Sequence, residues 1–109
     1  MRFGLPALTL NQIQSCFARY SDIEWVKVYG SRALGNYQPG SDIDLAYGGP
    51  EDYSIQLASS LAELSTPYLF DVSHYDNLQN ENLKSHIDRV GQVLFTQDEL
   101  KISGQKDEI

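Results

Sequence analysis

GSRALGNYQPGSDID, Gly30 to Asp44, decides how this chain is read: a Gly-Ser pair, ten residues, then Asp-x-Asp. With Asp42 and Asp44 at the start of a strand, the two carboxylates point to one side while Ile43 and Leu45 point to the other, toward a core. A pair of small residues that ends one strand and opens a helical turn presents backbone N–H groups to an anion. Carboxylates beside a phosphate cradle are the parts of a site for divalent metal and a nucleoside triphosphate.

Outward from this segment, Glu24 to Tyr29 reads as the strand that delivers the Gly-Ser pair. Val26 and Val28 lie on one side of it, and Trp25, Lys27 and Tyr29 on the other. Asp42 to Tyr47 reads as the second strand, closed by Gly48, Gly49 and Pro50. Between the two, three glycines and a proline within residues 30–40 allow a short helical turn after Ser31 and then a loop. Upstream, Thr9 is expected to cap a helix reaching about Tyr20, with Leu10, Ile13, Cys16 or Phe17, and Tyr20 at helical spacing. Downstream, the pattern predicts a helix over Glu51 to Leu64, a third strand over Tyr68 to Ser73, a helix over Asn80 to Val90, and a short apolar segment ending at Phe95. From Thr96 the periodicity fails, and the acidic stretch QDELKISGQKDEI predicts a flexible tail. The expected organisation is one domain over residues 1–95 and a tail over 96–109. Helices alternating with three strands predict an α/β fold of the α+β two-layer kind, a mixed sheet with helices packed on one face.

A chain of 109 residues is expected to hold one domain with a modest core and no second lobe. Its 41% apolar and 21% charged residues match a soluble globular protein, and neither a membrane-length apolar run nor an N-terminal signal is present, so the cytoplasm is the expected location. The net charge of -7, from 15 acidic against 8 basic residues with no Lys/Arg cluster, argues against nucleic acid as the primary partner. The lone Cys16, among Ile13, Phe17 and Tyr20, reads as a small core residue rather than a nucleophile.

Asp71 lies on the third strand between apolar Phe70 and Val72, where an unpaired acid is a liability. If the first two strands are antiparallel neighbours, the end of one at Gly30 falls beside the start of the next at Asp42. If the third strand pairs beside the second, Asp71 completes a triad. Three carboxylates held close need compensating charge, and two divalent cations supply it. Such a site suits phosphoryl-type transfer. Arg32 directly follows the Gly-Ser pair and offers a positive charge to the phosphates. Ser41 reads as a cap on the Gly40 turn. His74 and His86 lack metal-ligand spacing and read as structural histidines. Tyr29, Tyr37 and Tyr47 fall around the expected crevice, where base stacking and sheet packing are both open to them.

With these residues in place the chain resembles the polymerase-beta-like nucleotidyltransferase superfamily. The resemblance runs over roughly residues 24–95 and is strongest over 30–46 and 68–75. Within the superfamily, its small size is similar to that of the minimal nucleotidyltransferases, single-domain proteins encoded beside a helical HEPN partner. The resemblance implies that Gly30 and Ser31 hold the β- and γ-phosphates of an NTP, ATP above all, and that Asp42 and Asp44 ligate two Mg²⁺ ions. It implies that Asp71 completes the catalytic metal site and assists the acceptor hydroxyl. It further implies an antitoxin that moves AMP to a tyrosine of a HEPN toxin. Two alternatives stand beside that expectation: a two-component transferase whose helical subunit holds a small hydroxylated molecule, and a non-catalytic antitoxin that neutralises its partner by occlusion.

Overall fold

The computed structural model describes the backbone of residues 2–106 and the side chains of residues 2–102. Along it run α1 (Ala7–Phe17), β1 (Trp25–Tyr29), α2 (Ser31–Leu34), β2 (Ile43–Gly48), α3 (Ser54–Ala62), β3 (Phe70–His74), a 3-10 turn (Tyr75–Asn77), α4 (Glu81–Val90), β4 (Gln92–Thr96) and α5 (Gln97–Lys106). The strands form one mixed sheet of order β3-β2-β1-β4. β1 is antiparallel to both of its neighbours, in register from Trp25↔Gly48 to Tyr29↔Asp44 with β2, and its pairing with β4 shifts between Val26 and Lys27. β2 and β3 are parallel, in register from Ile43↔Phe70 to Tyr47↔His74, with α3 as the crossover that parallel neighbours require.

Strand alternation divides the chain between two faces. Val26, Val28, Ile43, Leu45 and Tyr47 are buried on one face beneath α1, α3 and α5, together with Ile13, Phe17, Leu57, Leu61 and Leu100. Tyr29 and Ala46 lie on the other face, where Ile87 of α4 packs on them with Trp25, Leu83 and Val90 alongside. Helices therefore cover both faces, α4 being the one that the single-face expectation leaves out. α4 begins as its sequence predicts: the Asn80 side chain accepts the N–H groups of Asn82 at 3.0 Å and Leu83 at 3.2 Å. Thr9 does not cap α1. The N-cap is Pro6, and Thr9 lies buried inside the helix.

Two further differences concern the C-terminal third. The apolar segment ending at Phe95 is a fourth strand, which gives the central β1 a partner on its open side. Beyond it stands α5 where a flexible tail is expected. Its first turn is tied down by Thr96, whose N–H donates to Glu99 Oε1 at 3.0 Å and whose hydroxyl accepts the Glu99 N–H at 3.2 Å, and Leu100 enters the core. The last three positions of the expected tail, 107–109, lie outside the described residues. Among the described residues no helix is long and apolar enough to cross a membrane.

Candidate active site

β1 ends at Tyr29, and Gly30 turns the chain with φ 71° and ψ -151°, a combination open to glycine and costly for any residue with a Cβ. α2 follows as little more than one turn, with Gly30 at its N-cap and Gly35 in the left-handed conformation at its end. The returning loop is pinned by Ser41, whose hydroxyl accepts the Gln38 N–H at 2.8 Å. The main chain then enters β2 one residue after Asp42.

The strand register puts the acids together. Asp44 is opposite Tyr29 on β1 and beside Asp71 on β3, so it stands between the Gly30 turn and the second carboxylate. Both strand conditions on which the sequence argument depends are met: β1 and β2 are antiparallel neighbours, and β3 pairs beside β2. Asp42 and Asp71 are exposed and Asp44 is half-buried. Burial first, then the like charges of Asp71 and Asp42, push the Asp44 carboxyl above its ordinary range. Tyr29 shares this environment. Its phenol is pushed up by burial and by Asp71 and Asp44, while a hydrogen bond with Ser73 acts in the opposite direction.

Gly30 closes the other side of Asp44. A Cβ at position 30 would collide with Asp44 Oδ2, so the absent side chain is what brings turn and carboxylate together. The Gly30 N–H donates to His86 Nε2 at 3.2 Å, which sets a histidine of α4 at the turn as well.

Among the described residues no three His, Cys, Asp or Glu side chains are gathered closely enough to enclose a metal ion. A small, hard, strongly hydrated cation does not require such a cage, because Mg²⁺ takes one or two protein carboxylates and fills its shell with water and phosphate oxygens. The donors here are carboxylate oxygens under mutual repulsion on one open face, and this chemistry fits a divalent cation that arrives with a triphosphate.

Other expected site residues have different duties. Arg32 is buried, and its guanidinium donates to the carbonyls of Phe3 at 2.9 Å, Ser41 at 2.9 Å and Pro39 at 3.4 Å, with the rings of Tyr37 and Tyr68 each 5.1 Å from its Cζ. Its charge therefore fastens the loop that carries Asp42, which corrects the expectation of a phosphate contact. Tyr47 does not line the crevice. It is buried in the main core, stacked on His74 at 4.9 Å, and its hydroxyl accepts the Tyr53 N–H at 2.6 Å. Tyr37 lies against Gly4 and Arg32, so of the three tyrosines Tyr29 alone is beside the carboxylates. His74 is structural, its Nε2 2.7 Å from the Gly49 carbonyl. Cys16 is buried and its thiol is pushed up by that burial, the condition of an inert core thiol. His86 is the residue that sequence spacing passes over, because its partner is a backbone N–H 56 positions away rather than another ligand.

Known proteins resemble this chain in sequence family and in fold. The family described as "Polymerase beta, Nucleotidyltransferase" matches residues 11–100. A crystal structure of a toxin–antitoxin with AMP-PNP superposes with a TM-score of 0.66 at 20% identity, over 90% of this chain and 82% of that one. A crystal structure of the toxin–antitoxin MntA-HpeT, in a form with two Asp-to-Glu substitutions, superposes with a TM-score of 0.65 at 18% identity, over 89% of this chain and 81% of that one. No curated protein matches the chain.

Proposed function

The chain belongs to the polymerase beta nucleotidyltransferase family, and from that membership we propose that it moves AMP from ATP to a tyrosine hydroxyl of a helical HEPN-type toxin and so acts as its antitoxin. The observation that carries this reading is the row formed by Gly30, Asp44 and Asp71: a turn with no side chain at Gly30, set directly against the Asp44 carboxylate, with Asp71 beside Asp44 on the neighbouring strand.

In this reading the Gly30–Ser31 turn receives the β- and γ-phosphates, with the Ser31 hydroxyl and backbone N–H as donors. Asp42, Asp44 and Asp71 hold the Mg²⁺ that accompanies the triphosphate, and when bound the metal lowers the pKa of the attacking hydroxyl and neutralises charge on the departing pyrophosphate. The acceptor oxygen bonds to the α-phosphorus while the bond from that phosphorus to the bridging oxygen breaks. AMP stays on the acceptor, pyrophosphate leaves, and the exposed Asp71 carboxylate takes the hydroxyl proton. Arg32 keeps Asp42 in place from behind, through the Ser41 carbonyl next to it in sequence.

A toxin as acceptor is supported by the two superposing structures, both of toxin–antitoxin assemblies and one with AMP-PNP. The net charge of -7 also suits docking on a basic protein surface. The test is transfer from labelled ATP with Mg²⁺ and the partner protein. The α-label is expected on the partner as one added AMP by mass, and the γ-label in pyrophosphate alone. Unchanged transfer and neutralisation in Asp42→Asn/Asp44→Asn would sink the carboxylate site. Lost transfer with neutralisation intact would make occlusion the antitoxin mechanism.

A further inference from the structure

Gly30 is held from two sides. Its Cα faces the Asp44 carboxylate, and its N–H donates to His86 Nε2 at 3.2 Å from the second half of α4. In that contact Nε2 is the acceptor. The ring is half-buried and meets Tyr29 edge-on, with centroids 5.9 Å apart and planes at 79°. α4 thus reaches the turn through one side chain, although none of the clustered carboxylates belongs to it.

We propose that His86 is a positioning residue for the nucleotide: by accepting the Gly30 N–H it fixes the peptide plane of the turn and the gap between that turn and Asp44. The proposal rests on Gly30–Ser31 being the phosphate-binding turn. A glycine at φ 71° has no side chain to anchor it and the widest backbone freedom of any residue. Its carbonyl is committed to the Leu34 N–H at 3.1 Å, inside α2, and the peptide before it leaves the β1–β2 ladder at Tyr29, so His86 supplies the hold on the N–H side of that peptide. Fixing that plane before the ligand arrives removes an ordering cost from binding.

The experiment compares H86F, which keeps a ring against Tyr29 without an acceptor, with H86Q, whose amide oxygen can occupy the Nε2 position, in the full chain. In the nucleotide-free protein the Gly30 amide proton resonance is expected to move, and its hydrogen exchange to quicken, in H86F and to stay near wild type in H86Q. With Mg²⁺ present, ATP binding by calorimetry is expected to weaken roughly three- to tenfold in H86F, the effect of losing one hydrogen bond, and by less than about twofold in H86Q. An unchanged Gly30 amide in H86F overturns the proposal, and equal losses in both variants overturn it in favour of simple packing. ATP binding that is the same in wild type and H86F overturns this proposal alone. Wild-type protein that binds no ATP overturns the phosphate-site reading and the role of His86 with it.

Discussion

Gly30 and Asp44 touch across the β1–β2 pair: the glycine Cα lies where any Cβ would strike Asp44 Oδ2, and the backbone there has φ 71°. Gly30→Ala therefore meets strain and collision at once. We expect a stability loss of about 1–3 kcal/mol in urea unfolding, together with loss of nucleotidyl transfer beyond about a hundredfold, because relief of the clash moves either the turn or the carboxylate.

Asp44 is held above its ordinary pKa by burial, then by Asp71 and Asp42. Between the unfolded and folded pKa values the folded chain binds more protons than the unfolded one, so this group costs stability as pH rises through that window and above it. Without divalent metal at neutral pH, Asp44→Asn is expected to be as stable as wild type or more so, by about a few tenths of a kcal/mol once water screening is allowed for. Added Mg²⁺ and ATP should then raise the melting temperature of wild type and leave that of D44N unmoved.

Arg32 ties three carbonyls and lies between two tyrosine rings. Lysine cannot reproduce a planar fork, and alanine removes the donor from all three carbonyls at once and empties a buried site. R32A should lose about 2–4 kcal/mol in chemical unfolding, and R32K a large part of that. A stability unchanged in R32A, with ATP affinity alone reduced, would return Arg32 to the phosphates.

Asp52 accepts the Ser54 hydroxyl at 2.6 Å and the Ser54 N–H at 2.9 Å at the start of α3, and these bonds lower its pKa to about 2. A depressed carboxylate pKa contributes stability above the unfolded value of about 4, and that contribution is lost as pH falls to the folded value. D52A should be less stable than wild type at pH 6, and the gap between them should narrow from about pH 4 to about pH 2. Urea midpoints across that range measure it.

Leu100 is 3% exposed where α5 meets the main core. L100A is expected to lower stability by about 2–4 kcal/mol, the usual cost of emptying a buried leucine site. A flexible tail would register no change, so equal unfolding curves would release α5 from the fold.

By itself the sequence determined whatever depends on local period. Alternation in Ile43, Asp44 and Leu45 assigned the carboxylate and the core residues to opposite sides of β2, Asn80 marked the start of α4, and the Gly-Ser and Asp-x-Asp pairs announced both ends of the connection between β1 and β2. What lies over each strand depends on contacts between residues far apart in the chain, and only the tertiary structure decided it. β4 is a strand because β1 has an open side to pair with, and α5 is held by Leu100 and the Thr96–Glu99 exchange in an otherwise polar stretch, too few anchors to register as periodicity. The side chains with the least readable roles were Arg32 and His86, because both bond to backbone. A carbonyl or an N–H is present at every position, so no residue type or spacing marks the partner, and folding alone brought Ser41 to the guanidinium and Gly30 to the imidazole.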